Sequence, residues 1–373
     1  MADDADRRRR PVGWVFHERY LWHDTGTAAG LLESDEWLEP LAHVESVATK
    51  RRFQSLLAVS GMLDSLVMLP PREATHDELQ AVHTPAYIAQ IEKLSSEHGG
   101  DAGDGTTPFG RGADRIARLA AGGAITAVEA LATGVVSSVY ALVRPPGHHA
   151  LPDHGMGFCV FNNVAVAIRH LQRAQGIERV AVVDWDVHHG NGTQTVFYDD
   201  PSVLVISVHQ DRCYPVTSGS LDERGTGAGI GMNLNIPLPP GSGESAYTTA
   251  FERVVVPALQ RFRPQLVVVS SGFDANVFDP MGRMLLHSDS YRRLTEILLD
   301  ATDGQLAVIH EGGYSEFYVP FCGLAVVEAL AGIRTQVDDP YLNEAKQMAG
   351  HSLNDEQRRM IVAAEALLNG IGS

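Results

Sequence analysis

The chain has 373 residues, of which 44% are hydrophobic and 20% are charged, and its mean hydropathy is -0.07. These values are typical of a globular protein with a sizeable core, and they exclude a disulfide miniprotein and a disordered chain. The 29 Lys and Arg against 46 Asp and Glu leave a net charge of -17. Such a field repels phosphate backbones and attracts cations, so we expect a cationic substrate and no nucleic-acid partner.

The N-terminus and the cysteines bear on the cellular compartment. Residues 1–10 include four consecutive arginines and are predicted to be a charged, flexible tail before a single domain over 11–373. The apolar run 11–16 is cut short by charged residues, so it cannot form an export segment, and no stretch reaches the roughly 18 apolar residues of a membrane span. Three cysteines form no CxxC pair: Cys159, Cys213 and Cys322. This usage favours a reducing, cytoplasmic location.

Hydrophobic periodicity predicts the elements in chain order. Apolar residues at three- and four-residue intervals predict helices over 44–67, 111–132, 164–175, 245–262, 288–301 and 354–368. Short Val/Ile/Leu-rich runs without strict alternation are typical of parallel strands covered on both faces, and they lie at 139–143, 180–184, 203–207, 266–270 and 306–310. The glycine-rich stretch 99–111 is predicted to be a surface loop. The pattern indicates an α/β domain with a central, mainly parallel sheet, helices on both faces and a C-terminal helix.

A polar cluster follows each of the five predicted strands. These clusters are RPPGHH (144–149), DWDVHHGNG (184–192), SVH (207–209), SSGFD (270–274) and HEGGY (310–314). The carboxyl ends of parallel strands meet at one edge of the sheet, where open α/β proteins bind their ligands. The five clusters therefore predict one active site at this edge.

Three of these polar residues have the chemistry of a metal site. Asp186 and His188 are two residues apart where the chain leaves a strand, so their side chains can point to the same side, and Asp274 can join them from another strand end. One imidazole and two carboxylates leave coordination positions open, as in catalytic zinc sites. Zinc is favoured, and iron(II) or cobalt would also accept such ligands. The alternative is an ion pair at a strand end.

The adjacent His148 and His149 follow a Pro-Gly turn that lets both imidazoles face one cavity. Catalytic imidazoles are oriented through their second ring nitrogen, and Asp184 and Asn191 are the candidate partners for that role. Tyr314 follows two glycines at a strand exit, where its hydroxyl can be presented to a developing oxyanion. The alternatives are a pair of packed core histidines and a tyrosine packed at the rim.

Five motifs together resemble the zinc-dependent histone deacetylase superfamily: RPPGHHA (144–150), GFCVFNN (157–163), DWDVHHGNGT (184–193), SSGFDA (270–275) and HEGGY (310–314). The resemblance covers about 14–333 and is greater to class II enzymes and bacterial deacetylase-like amidohydrolases, including acetylpolyamine amidohydrolases, than to class I. It implies the single-domain arginase/deacetylase-like fold. It also implies hydrolysis of acetyl groups from lysine side chains or polyamines by metal-activated water.

The resemblance also assigns roles. It implies zinc bound by Asp186, His188 and Asp274, with His149 as general base, His148 as its electrostatic partner or as an acid, and Tyr314 as oxyanion donor. It further implies a structural potassium ion held largely by backbone carbonyls of Asp184, Asp186, His188, Ser207 and Val208. Gly157, Phe158 and Tyr214 would line a narrow acyl-lysine tunnel.

Substrate choice stays open at this point. Tyr214 departs from the phenylalanine usual in the family, and Met281 stands where a polyamine-specific branch has a glutamate. Asp104 and His154 are interpreted as solvated loop residues rather than contacts at the tunnel rim. An acetylated cationic small molecule and a lysine-containing peptide are both possible substrates.

Two rival functions remain, an arginase-like dinuclear manganese ureohydrolase and a non-catalytic acyl-binding homologue. The intact set of polar residues favours the hydrolase over the binding protein. By resemblance to bacterial relatives, a homodimer or homotetramer is expected.

Overall fold

The centre of the structure, a computed structural model that describes residues 11–28, 31–32 and 34–371, is a parallel sheet of eight strands. The strands in chain order are β1 Val12–Val15, β2 Thr27–Ala28, β3 Leu41–Ala42, β4 Val67–Met68, β5 Gly100–Asp101, β6 Pro108–Phe109, β7 Ser138–Ala141, β8 Val180–Asp184, β9 Val203–Gln210, β10 Asn233–Leu238, β11 Leu266–Ser271 and β12 Leu306–His310. The central sheet has the order β10-β9-β8-β11-β12-β7-β1-β4, with every neighbouring pair parallel. The pairs β2–β3 and β5–β6 are small antiparallel ribbons.

Helices cover both faces of this sheet. In chain order they are α1 Ala48–Val59, α2 His76–Leu79, α3 Pro85–Ser96, α4 Ala113–Ala132, α5 Asn163–His170, α6 Asn191–Phe197, α7 Glu244–Ala250, α8 Val256–Phe262, α9 Ser288–Ala301, α10 Val319–Ala331, α11 Leu342–Gln347 and α12 Asp355–Ala366. Helices α5 and α7 each continue into a π-helical turn. Within the described ranges, no helix is long and apolar enough to span a bilayer.

The core consists of two apolar layers, one on each face of the sheet. Along β8, Ala181 and Val183 belong to the layer that includes α1, α9 and α10, whereas Val180 and Val182 belong to the layer that includes α4 and α5. Successive strand residues point to opposite faces, so each face of a central strand needs an apolar cover. This explains the continuous apolar runs in the sequence and confirms the predicted fold class.

The strand order places a crevice between β8 and β11. After β8 the chain moves outward through β9 and β10, and after β11 it moves the other way to β12. Connections that leave in opposite directions open a crevice at the carboxyl ends of the two strands, the usual ligand site of such sheets. The polar segments that follow β8 and β11 meet there.

The sequence pattern was wrong at several boundaries. The helix predicted over 44–67 ends at Val59, because Gly61 adopts a φ of 76° and turns the chain into a 3-10 turn and then β4. The loop predicted over 99–111 contains the β5–β6 ribbon. Strand β10 was not predicted, since its asparagines and proline are unusual inside a sheet and suit the edge position it occupies. The predicted tail over 1–10 lies outside the described residues.

Candidate active site

The three predicted metal ligands converge in the crevice. The ligand atoms of Asp186, His188 and Asp274 all lie within 4.8 Å of one another, and all three residues are buried. His188 Nδ1 lies 3.0 Å from Asp186 Oδ1 and 3.2 Å from Asp274 Oδ2. The structure therefore brings together the residues that the sequence placed 88 positions apart, from Asp186 to Asp274.

Backbone groups hold the two carboxylates in place. Gly312 donates its N–H to Asp186 Oδ2 at 3.0 Å, and Val187 donates its N–H to Asp274 Oδ1 at 2.7 Å. The glycines after the strands are required by space, since a Cβ on Gly272 would lie 2.0 Å from Asp186 Oδ2 and one on Gly312 would lie 2.2 Å from Asp274 Oδ2. The two hydrogen bonds and the close approach of these glycines hold the carboxylates in fixed orientations.

The donor set fits a divalent cation. Asp274 Oδ2 is buried and accepts no hydrogen bond. Burial, followed by the charge of Asp186, raises the pKa of the Asp274 carboxyl. An unsatisfied carboxylate oxygen beside a second carboxylate and an imidazole is costly without a cation and suits zinc with it.

The two histidines before the crevice have opposite electrostatic environments. His148 Nδ1 lies 3.0 Å from Asp184 Oδ2, and His149 Nδ1 lies 2.7 Å from Asn191 Oδ1, with the rings 4.0 Å apart. Burial opposes protonation of His148, but the carboxylates of Asp186 and Asp184 raise its pKa to about 10. Burial and then the charge of His148 lower the pKa of His149 well below its usual value. The two shifts favour the protonated form of His148 and the neutral form of His149.

Tyr314 lines the same cavity, and its backbone is held by the buried Asp279. Asp279 Oδ2 accepts the backbone N–H of Tyr314 at 2.7 Å and that of Ser315 at 3.1 Å. Burial, followed by the negative charge of Asp274, raises the pKa of Asp279 to about 8. Both carboxylate oxygens of Asp279 accept backbone N–H groups, since Oδ1 accepts that of Met281 at 2.9 Å. Burial keeps the pKa of Tyr314 well above its usual value, so the phenol stays protonated.

A narrow cavity leads to these groups. Its volume is about 210 Å³, and it is lined by Leu31, Thr106, His149, Gly157, Phe158, His188, Cys213, Tyr214, Met281 and Tyr314. Gly157, Phe158 and Tyr214, which the resemblance places along the tunnel, are among them, and so is Met281. A larger cavity of about 490 Å³ lies beside it and shares Leu31 with it. None of the predicted catalytic or metal residues lines the larger cavity, so the chemistry belongs to the smaller one.

The interpretation of Asp104 as a solvated loop residue was wrong. Its Oδ2 accepts hydrogen bonds from the N–H of Gly157 at 2.9 Å and from the hydroxyl of Tyr214 at 3.1 Å. His154 does reach solvent, with 42% of its side chain exposed beside Asp153. A glycine-rich loop on its own carries no sequence signal for such a contact, because Asp104 and Tyr214 are 110 positions apart.

A buried charged cluster behind the site was also missed. Arg144 donates to both carboxylate oxygens of Glu45, at 2.9 and 2.7 Å, and Lys50 Nζ lies 3.0 Å from Glu45 Oε1. The side chains of all three are at most 1% exposed. Glu311, another buried carboxylate, accepts the backbone N–H of Gly147 at 2.7 Å. The motif residue Arg144 thus anchors the turn before His148 to the N-terminal third.

The region of the predicted potassium site lies where β8 pairs with β9. Asp184 is opposite Ser207 in this pairing, and Val208 follows in β9. The side chain of Ser207 contacts His209, with Oγ 2.8 Å from Nδ1. The potassium ion stays a prediction from resemblance.

Comparison with known proteins agrees with this geometry. Residues 43–330 match the histone deacetylase domain family. A histone deacetylase-like amidohydrolase of Pseudomonas aeruginosa is 48% identical over 94% of each chain, and the polyamine deacetylase HDAC10 of Mus musculus is 38% identical over 79% of this chain and 45% of its own length. The solved structure of the HDA15 HD domain matches with a TM-score of 0.84 and 34% identity over 96% of each chain.

Proposed function

Because the chain belongs to the histone deacetylase domain family, we propose that it is a zinc-dependent amidohydrolase that removes acetyl groups from primary amines. The observation that carries this proposal is the convergence of Asp186, His188 and Asp274 beside the imidazole of His149 and the phenol of Tyr314. An arginase-like dinuclear site would need further free carboxylates, whereas Asp279 accepts backbone hydrogen bonds.

The metal triad would hold zinc through one imidazole nitrogen and two carboxylate oxygens. Zinc, when bound there, supplies Lewis acidity to the acyl carbonyl and lowers the pKa of water toward about 7. The protein contributes the fixed geometry: the backbone N–H groups of Val187 and Gly312 keep both carboxylates from rotating.

His149 has the properties of a general base. Its Nδ1 donates to Asn191 Oδ1, so Nε2 keeps a free lone pair that can take a proton from the attacking water. The low pKa of His149 keeps that lone pair available at neutral pH. The protonated His148 stabilises negative charge that develops nearby and is itself held by Asp184.

Tyr314 would donate its hydroxyl to the oxyanion of the tetrahedral intermediate. Its ring packs edge-on against Phe158 at 5.6 Å, and its backbone is fixed by Asp279, so the hydroxyl is positioned before substrate binds. A preorganised donor in a buried site is worth more than one in water. The proton held by His149 passes to the amide nitrogen as the C–N bond breaks, so the products are the free amine and acetic acid.

The substrate class that we propose is an acetylated cationic amine, either acetyl-lysine in a peptide or an acetylated polyamine. The net charge of -17 favours cationic substrates, and one relative is named a polyamine deacetylase. Met281 lines the cavity as an apolar group, so a carboxylate at that position does not select polyamines here. The structural potassium ion, a homo-oligomer, a cytoplasmic location and the lack of a nucleic-acid partner stay predictions.

Mass-spectrometric hydrolysis of one mixed panel tests the function. Zinc-reconstituted protein is incubated with acetyl-lysine peptides, acetylputrescine, acetylspermidine and simple acylamides. We expect acetate release from the cationic amides, loss of turnover on treatment with a chelator, and recovery with zinc. Recovery with manganese but not with zinc, or tight binding of a hydroxamate without any turnover, would contradict the proposal.

A further inference from the structure

The tunnel has two walls that come from distant parts of the chain. One wall is the segment Gly157–Phe158, and the other is Tyr214, which follows β9. The ring of Tyr214 stands at 88° to the ring of His149, with the centroids 5.0 Å apart. A shift of Tyr214 would therefore change both the width of the tunnel and the space above the general base.

Asp104 is bonded to both walls. Its Oδ2 accepts the hydroxyl of Tyr214 on one side, at 3.1 Å, and the N–H of Gly157 on the other, at 2.9 Å. Thr106 donates its hydroxyl to Oδ2 at 2.5 Å and its N–H to Oδ1 at 2.9 Å, and Thr107 donates its hydroxyl to Oδ1 at 2.9 Å. Five hydrogen bonds occupy this carboxylate, so it is committed to the protein and is not free to bind a substrate group.

The segment that Asp104 holds adopts an unusual backbone conformation. Gly157 has a φ of 54° and Phe158 has a φ of 70°, which is uncommon for a residue with a side chain. The N–H of Phe158 is held by Thr107 Oγ1 at 3.0 Å, so the same loop supports both residues. Residues in the left-handed region persist only where neighbouring groups fix them.

The loop that carries Asp104 is itself braced. Asp101 Oδ1 accepts the N–H groups of Gly103 and Gly105, at 2.7 and 2.8 Å, and Oδ2 accepts the N–H of Thr107 at 2.8 Å. The ribbon β5–β6 closes the base of the loop. The loop therefore holds the Asp104 carboxylate in a fixed position relative to Gly157 and Tyr214.

We propose that Asp104 is a positioning residue that, through Tyr214 and Gly157, sets the width of the tunnel for the amine side of the substrate. The cavity of about 210 Å³ is smaller than the roughly 300–1,000 Å³ of typical ligand pockets, and two of its walls are aromatic. It admits an unbranched methylene chain next to the amide nitrogen and discriminates against a ring at that place. This inference rests on the proposed hydrolysis of acetylated amines.

Tyr214→Phe tests the proposal, because it removes one hydroxyl and keeps the ring. Two neutral substrates with the same acetyl group are compared, N-acetylbutylamine and N-acetylbenzylamine. We expect the ratio of kcat/KM for the benzyl to the butyl substrate to rise at least fivefold, with the zinc content unchanged from the wild type. Tyr198→Phe, a tyrosine that does not line the cavity, is the matched control and should leave the ratio unchanged.

Asp104→Asn and the double variant separate positioning from general damage. Asp104→Asn should shift the same ratio in the same direction. The double variant Asp104→Asn with Tyr214→Phe should shift it no further than the larger single change, since the two substitutions share the contact between Asp104 and Tyr214. A ratio within twofold of wild type in Tyr214→Phe, or additive shifts in the double variant, would overturn the proposal. If Asp104→Asn does not fold, Tyr214→Phe decides alone.

A binding measurement distinguishes this proposal from the proposed function. Calorimetric titration of the zinc-loaded proteins with hexanohydroxamic acid and cyclohexanecarbohydroxamic acid should show the same change of preference in Tyr214→Phe. If wild type hydrolyses no amide but the hydroxamate preference changes at least fivefold, the proposed function fails and the positioning role stands. If hydrolysis occurs and neither preference changes, the positioning role fails alone.

Discussion

Replacing Tyr314 with phenylalanine should reduce kcat by about 10²–10³, with KM changed by less than about threefold. The substitution removes one oxygen and leaves the ring, whose packing against Phe158 at 5.6 Å does not involve the hydroxyl. The backbone of residue 314 stays fixed by Asp279, so the loss is confined to the oxyanion donor. One preorganised donor in a buried site is worth about 2.7–4 kcal/mol in the transition state, which corresponds to that range in rate.

The assay is the steady-state release of acetate from the best substrate of the panel, with zinc content and melting temperature measured on the same sample. Equal zinc content and an unchanged Tm would show that the fold and the metal site are intact. A decrease in kcat of less than threefold would remove Tyr314 from the mechanism. An increase in KM with unchanged kcat would show that the hydroxyl binds the substrate and the transition state equally.

Three further predictions follow from the site and its support. Asp274→Ala removes one of three ligands, so the purified variant should retain less than about a tenth of an equivalent of zinc by plasma mass spectrometry. Stoichiometric zinc in a variant with an intact circular dichroism spectrum would refute the ligand assignment. Asn191→Asp places a carboxylate next to His149 Nδ1, which stabilises the imidazolium and raises the pKa of His149. The acid limb of the pH profile of kcat/KM should therefore move up by about one pH unit or more. An acid limb that stays in place or moves down would contradict the role of His149 as base. Arg144→Met removes hydrogen-bond donors from Glu45 and from three backbone carbonyls in a buried cluster. It should lower the free energy of unfolding by about 3–5 kcal/mol, which corresponds to a decrease of about 4–6 °C in Tm by calorimetry for a chain of this length. Arg293→Met breaks an exposed ion pair with Glu252 and should lower the free energy of unfolding by at most about 1 kcal/mol.

The central strands and the polar residues after them could be predicted from the sequence. Strands β8, β11 and β12 are apolar on both faces, so their composition shows both their type and their burial. The catalytic groups follow them directly, and the parallel arrangement fixes that they meet. For these residues, the place directly after a parallel strand in the sequence determines a place at the carboxyl edge of the sheet.

Other parts depend on contacts that no local pattern encodes. Strand β4 has two residues and β10 carries asparagine and proline, so neither has the composition of a buried strand. Asp104 reaches Tyr214, and Arg144 reaches Glu45, across about a hundred positions of the chain. Such pairs are apparent only after the fold brings the segments together, because nothing in the sequence around one residue identifies its partner.

The packing of α1 against α10 has a consequence for synthesis on the ribosome. Strand β1 lies between β4 and β7, and α1 packs in the same apolar layer as α10, which ends at Ala331. Ser46 Oγ contacts Glu316 Oε1 across 270 positions. The apolar face of α1 therefore emerges long before α10, which completes its cover. We expect the nascent protein to expose this face until α10 has been made, and its yield to depend on chaperones.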